Sequence, residues 1–176
     1  AGAWQWALNR DKARKQGIDV IFEGYFEELG PQLFMDIIED RPVADHVKYE
    51  KTAAGLVCPI SNASTLGIIE LSRGCGRGCN FCTMGARKME HLPVETIVSD
   101  RQKNVSAGIR SVVSGSEDFF RYGAKGTKPD FEKLASLLEQ MRKVKGLSFM
   151  QIDHGNVTSV LQLTDAQLSE IRTLLT

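Results

Sequence analysis

The feature that most constrains this chain is a cluster of three cysteines, Cys75, Cys79 and Cys82, spaced C-x-x-x-C-x-x-C. A short apolar run at 67–72 leads straight into them, so they occupy a loop just after a predicted strand. Gly74, Gly76 and Gly78 leave that loop free to take backbone conformations closed to other residues, and so to wrap around a bound group. Three thiolates this close can grip one side of an iron–sulfur cluster, each holding one iron. Zinc is the competing reading. It usually takes four ligands, often as two C-x-x-C pairs, and no second pair exists here. Cys58 is the remaining cysteine, just ahead of Pro59. It is available as a fourth ligand, or it is a buried small hydrophobe. If it is not a ligand, one iron stays open to a substrate or cofactor.

Downstream of residue 67 the pattern alternates strand and helix three times. Predicted strands start near 68, 109 and 148. The first helix follows Pro93 and carries Val94, Ile97, Val98 and Val105. The second runs from Pro129 to about Lys145, with Phe131, Leu134, Leu137, Leu138, Met141 and Val144 on one face. The last starts at Thr164 with Gln167 three residues on, a capping-box pattern. Alternating β and α elements predict a parallel sheet with helices outside it. In such βα arrangements the chemistry gathers at the C-terminal ends of the strands. Three polar clusters fall there: the cysteine loop, Gly115-Ser116-Glu117-Asp118, and Asp153-His154. Glu117 suits an ammonium partner, with Asp118 as its rival and a helix N-cap as the structural alternative. Asp153 and His154 read as a proton-transfer or substrate pair, or as structural residues. Arg121-Tyr122-Gly123 reads as fixing the loop. Arg73 and Arg77 flank the cysteines, either tuning a cluster by charge or solvated, and residues 87–91 read as a solvated connection.

Residues 4–16 are helix-prone and stop at Gly17, 18–24 read as a strand, and Pro31 opens a helix with Leu33, Phe34, Ile37 and Ile38 on its apolar face. Residues 42–66 read as a linker with at most a short strand near Leu56-Val57, and His46 as a surface loop residue. The expected organisation is 1–41 as the end of one domain, 42–66 as linker and 67–176 as the start of another. The chain lacks an initiator Met and stops at the end of a helical pattern, so an internal piece of a longer protein is expected.

Composition narrows the classes. The 22 basic and 22 acidic side chains give zero net charge, which argues against a broad nucleic-acid-binding surface. No apolar run approaches the ~20 residues of a membrane-spanning helix, and the first residues lack the basic and apolar regions of a signal peptide. Closely spaced cysteines of metal-binding rather than disulfide type predict a cytoplasmic protein.

The C-x-x-x-C-x-x-C motif with Phe81 before its last cysteine resembles the radical S-adenosylmethionine (SAM) superfamily. The wider string from Ile69 to Cys82 resembles those members that carry an N-terminal cobalamin-binding-type domain, and the pattern from Ile18-Asp19 through Gly24 and Glu27 resembles the last βα unit of such a domain. The resemblance covers about residues 18–155. It implies an α/β fold, the first half of a partial (β/α)6 barrel after the tail of a Rossmann-like domain. It also implies a radical SAM enzyme with a 4Fe-4S cluster on Cys75, Cys79 and Cys82. SAM is chelated by the open iron and reductively cleaved to a 5′-deoxyadenosyl radical. Phe81 corresponds to an aromatic near the adenine, and Gly115, Ser116 and Glu117 to a Gly-Gly-Glu type motif that holds the SAM amino group, with serine replacing one glycine. A flavodoxin- or ferredoxin-like reductant is implied as a partner, cobalamin as a further cofactor, and methyl transfer or methylthio transfer as outcomes. An electron-transfer or zinc module without SAM is the alternative.

Overall fold

The computed structural model describes residues 7–51 and 53–176. The chain divides into two compact units, Ala1–Leu56 and Val57–Thr176.

In the first unit, α1 (Arg10–Lys15) is shorter than the expected helix, part of which lies outside the described residues. Asn9 caps it, its side chain accepting from the Lys12 amide, and Gly17 leaves it with a positive φ of 77°. Strand β1 (Ile21–Glu23) leads to α2 (Gly30–Ile38), with Pro31 in its first turn. Gly30 is required there, because a Cβ would run into the Phe26 ring. That ring is the middle of an edge-to-face series, Phe22–Phe26–Phe34. The apolar face expected for α2 stays largely in solvent: Phe34, Met35, Ile37 and Ile38 are all exposed. Two expectations for 42–66 are corrected. His46 belongs to β2 (His46–Lys48), which pairs parallel with β1 and puts the imidazole 3.3 Å from Glu23. The strand near Leu56-Val57 is instead a 3-10 turn, Ala54–Leu56, since Ala53 turns the chain with a positive φ of 51°.

The second unit is built on the alternation the sequence predicts. Strands β3 (Ile68–Glu70), β6 (Ser111–Gly115) and β7 (Phe149–Ile152) form a parallel sheet in the order β3-β6-β7. Ile69 pairs with Ser114, and Val112 with Met150. Helix α3 (Val94–Ser106) connects β3 to β6, and α4 (Phe131–Lys143) connects β6 to β7. The chain closes with the short α5 (Val157–Val160) and with α6 (Asp165–Leu175), whose Thr164–Gln167 capping box forms as expected. Ile69, Val112 and Met150 of the sheet are buried with Ile97, Leu134, Leu137, Leu138, Met141 and Ile171 of the helices. Full burial of one such side chain is worth about 1.5–3 kcal/mol.

Helix α3 departs from its expected face. Val94, Val98 and Val105 are only half-buried, while Asp100, Arg101 and Asn104 are buried. Two of these polar side chains face the incoming segment: Asp100 accepts from the Ile60 amide at 2.8 Å, and Asn104 from the Ser64 amide at 2.8 Å. Backbone groups that leave water need partners, and α3 supplies them. At the far side of the sheet, β7 pairs with β6 alone among the described residues, which leaves its other edge open. Beside it an apolar groove of about 380 Å³ is lined by Phe120, Phe149, Ile152, Leu168 and Leu175. Among the described residues no helix is long and apolar enough to cross a membrane.

Candidate metal centre

Because β3, β6 and β7 run parallel, the loops that follow them emerge at one edge. The cysteine loop does not leave the sheet directly. Two further strands, β4 (Ser72–Arg73) and β5 (Glu90–His91), pair antiparallel and close residues 74–89 into a protruding loop. This corrects the reading of 87–91 as a solvated connection: Met89 is buried, and the Arg87 carbonyl accepts from the Cys75 amide at 3.0 Å. Gly74, with φ of 74°, passes so close to Lys88 that any Cβ would collide with the Lys88 carbonyl. Inside the loop the Gly78 amide donates to the Gly85 carbonyl, and the Cys82 amide to the Cys79 carbonyl.

None of the four cysteines is in a disulfide; Cys75 and Cys82 are half-buried, while Cys79 is exposed. Cys58 is exposed as well, which corrects its expected burial: it sits in irregular chain ahead of Pro59, outside the sheet and helices. Among the described residues no three His, Cys, Asp or Glu side chains converge tightly enough to hold a metal ion. The donor set is nevertheless suited to an iron–sulfur cluster, with three unpaired thiols on one short loop. A buried orphan donor accompanies them, because Arg77 Nε, between Cys75 and Cys79, has no hydrogen-bond partner.

Neither flanking arginine is solvated. Arg73 is 7% exposed and binds both carboxylate oxygens of Glu70, at 2.6 and 2.9 Å. Arg77 reaches across to the loops after β6 and β7. Its Nη2 donates to Asp118 Oδ2 at 2.8 Å and to Ser159 Oγ at 2.7 Å, and its Nη1 to Thr158 Oγ1 at 2.7 Å. Asp118 is fully buried and also accepts from Ser159 Oγ at 2.6 Å and from the Asn156 amide at 3.2 Å. It stands at an N-cap position but makes no cap hydrogen bond, so its work is this clamp. Arg121, 3% exposed, is a second tie: Nη1 donates to the Cys75 carbonyl at 2.7 Å, while Nε and Nη2 hold the Gly126 carbonyl.

The structure thus brings the three predicted polar clusters to one edge, with unequal roles. Gly115 ends β6 opposite Glu70, and its carbonyl accepts from the Leu71 amide. Ser116 is buried, its hydroxyl 2.5 Å from that of Ser72. Glu117 is exposed. Asp153 and His154 face solvent and pair with each other at 2.9 Å, while the Asp153 amide donates to Ser114 Oγ. Phe81 is 92% exposed, so it is not a core aromatic. Sequence reasoning missed Asp118, Asn156, Thr158 and Ser159 as a unit. Its one available signal was Asp118 beside Glu117. The polar residues of α5 look like any turn until Arg77 is seen to reach them. Behind the loop His91 Nε2 donates to the Ala124 carbonyl, 3.0 Å away, and burial holds its imidazole below the usual pKa. A cavity of about 410 Å³ lies alongside, between Gly76, Gly78, Lys88 and residues 124–127.

No family model matches the chain. It is 27% identical over 89 residues to the ribosomal protein uS12 methylthiotransferase RimO of Christiangramia forsetii, a match covering 49% of this chain and 19% of that protein. RimO of Symbiobacterium thermophilum is 27% identical over 94 residues, 52% of this chain and 19% of the relative. The tRNA-2-methylthio-N(6)-dimethylallyladenosine synthase of Agrobacterium fabrum is 23% identical over 103 residues, 57% of this chain and 23% of the relative. The chain therefore spans about a fifth of the length of the curated relatives it matches. Over about half its own length, it is similar to methylthiotransferases of the radical SAM superfamily.

Proposed function

We propose that this chain carries the cluster-binding part of a radical SAM enzyme with methylthiotransferase-like activity. The observation that carries the reading is the cysteine loop itself: three free thiols on a glycine-rich loop, at the C-terminal edge of a parallel sheet, tied by Arg77 and Arg121 to the loops of the next two strands. Cys75, Cys79 and Cys82 would hold a 4Fe-4S cluster, leaving one iron for SAM. When bound, that cluster supplies the electron for reductive cleavage of SAM. The chain's own part is to present the thiols, orient SAM and keep the loop in place.

Glu117 offers an exposed carboxylate at the end of β6 for the amino group of SAM, with Gly115 and Ser116 shaping the backbone beneath it. Phe81 offers an exposed aromatic face for the adenine. Asp153 and His154, paired at the same edge, are placed for proton transfer or substrate contact. The open edge of β7 and the apolar groove beside it support a sheet that continues, as the first half of a six-unit barrel would. The electron comes from a flavodoxin- or ferredoxin-like reductant in a reducing, cytoplasmic setting. A Rossmann-like domain ending in β1–α2–β2 accounts for the first unit. The relatives are named for methylthio transfer and none of those above for cobalamin chemistry, so methylthio transfer is the preferred outcome.

The test is anaerobic reconstitution of the full-length protein with iron and sulfide. About four irons per chain are expected from the cluster stoichiometry. Cys75→Ala, Cys79→Ala and Cys82→Ala should each abolish loading, and Cys58→Ala should not. The exposure of Cys58 favours one other reading, a four-cysteine centre without SAM. Loss of the cluster in Cys58→Ala, together with a reduced-cluster resonance spectrum indifferent to SAM, would establish it.

A further inference from the structure

We infer that Arg77 is the positioning and tuning residue of the thiolate loop, clamped by buried Asp118 so that its Nε–H is kept for a sulfur of the bound cluster. This rests on the cluster reading above. Arg77 lies two residues from each of Cys75 and Cys79. Its two terminal nitrogens are held by Asp118, Ser159 and Thr158. The third nitrogen, Nε, is buried and without a partner. A planar guanidinium held at one end by a fork of acceptors cannot turn its remaining N–H elsewhere. A buried donor left unmade is costly, and it is satisfied if it meets the electron-rich sulfurs its own loop presents.

The charges support the same assignment. Asp118 is fully buried, the Arg77 side chain is 16% exposed, and the two neutralise each other 2.8 Å apart. Hydrogen bonds to the sulfurs and net charge near the cluster are the chain's principal means of setting its potential. Asp118 also receives Ser159 Oγ and the Asn156 amide, so the loop after β7 is tied to the cysteine loop both through this carboxylate and by the direct bonds from Arg77 to Thr158 and Ser159.

The experiment uses the full-length protein, reconstituted anaerobically, with iron content, the resonance spectrum of the reduced cluster and its midpoint potential as readouts. Arg77→Gln removes the positive charge and the Nε–H donor, and should lower the potential and alter the spectrum. Arg77→Lys keeps the charge but lacks the fork and should not restore the wild-type spectrum. Asp118→Asn leaves the guanidinium charge uncompensated and should move the potential the other way. Ser159→Ala keeps both charges and deletes two bonds of the clamp, the one accepted from Arg77 and the one donated to Asp118. It should speed iron release to a chelator by about two- to twelvefold for each hydrogen bond lost. It serves as the second arm should Asp118→Asn fail to fold. Shifts of the same sign in Arg77→Gln and Asp118→Asn, or an unchanged potential and spectrum in Arg77→Gln, would overturn the proposal while leaving the cluster intact. A wild-type protein that takes up no iron would remove the cluster reading and the proposal with it.

Discussion

Gly74 and Gly78 both sit in the left-handed region of backbone space, with φ of 74° and 70°. Their surroundings differ. At Gly78 a Cβ would meet nothing within 4 Å, whereas at Gly74 it would collide with the Lys88 carbonyl and stand 2.9 Å from that of Arg87. Gly78→Ala should therefore cost only the left-handed penalty, about 1–2 kcal/mol. Gly74→Ala adds a backbone displacement. The chain from 87 to 89 must retreat, and with it goes the bond from the Cys75 amide to the Arg87 carbonyl, worth about 0.5–1.5 kcal/mol. A total of about 1.5–3.5 kcal/mol is expected. For a chain of this size, each kcal/mol moves the melting temperature by about 2–4 °C. Thermal unfolding of both variants, followed by circular dichroism, reads the difference directly. Gly74→Ala should also load less iron than Gly78→Ala, since it shifts the residue that carries the first thiol. Equal melting temperatures in the two variants would refute the reasoning, because they would show that the backbone of Arg87 and Lys88 does not press on Gly74.

Three further outcomes are expected. Arg101 is fully buried, with Nε and Nη1 unpartnered and only Nη2 engaged, to the Val144 carbonyl at 2.7 Å. Arg101→Met should be neutral or stabilising by about 1–4 kcal/mol in denaturant unfolding near pH 7, and a loss of several kcal/mol would mean that the charge is compensated. Burial lowers the Arg101 pKa to about 10. The penalty is then complete below pH 10 and lifts as the pH rises above it, so the advantage of the methionine should shrink there. Burial also lowers the pKa of His91, so the folded state binds fewer protons than the unfolded one just below the ordinary histidine value of 6.5. Stability should be full above pH 6.5 and fall as the pH drops beneath it. His91→Gln should flatten that slope in pH-dependent melting curves, and an unchanged slope would place the proton elsewhere. Glu117→Gln should keep the cluster and weaken the SAM-induced change in its resonance spectrum about ten- to a hundredfold in affinity, if the carboxylate holds the SAM ammonium. Unaltered affinity would exclude it from the SAM pocket.

The parallel sheet of the second unit was readable because its signals are local. The apolar runs, the prolines at 93 and 129 and the capping box at Thr164 each announce an element without reference to distant residues. Helix α3 shows where that stops. Its buried Asp100, Arg101 and Asn104 look like a solvated face, and their partners are distant in sequence: residues 60–64 meet Asp100 and Asn104, and the Val144 carbonyl meets Arg101. The two-residue strands β4 and β5 are too short for any periodicity to register. The same division holds at the site. The three thiols declare themselves by spacing alone. Arg77 and Asp118 do not, because their pairing spans 41 positions and depends on the sheet being formed. In α2 the opposite happened: an apolar periodicity was visible in the sequence, but the described residues leave that face in solvent.

The clamp on the cysteine loop also imposes an order of events on a growing chain. The thiols are made first, Asp118 and Arg121 follow some 40 residues later, and Ser159 comes 82 positions after Arg77. At roughly 5–20 residues per second, the loop spends about 4–16 s outside the ribosome with its anchors unmade. Free thiols on an untethered glycine-rich loop are open to oxidation and to the wrong metal during that interval. Delivery of iron would succeed best after the third strand has joined the sheet, which makes completion of β7 and α5 the natural checkpoint for cofactor insertion.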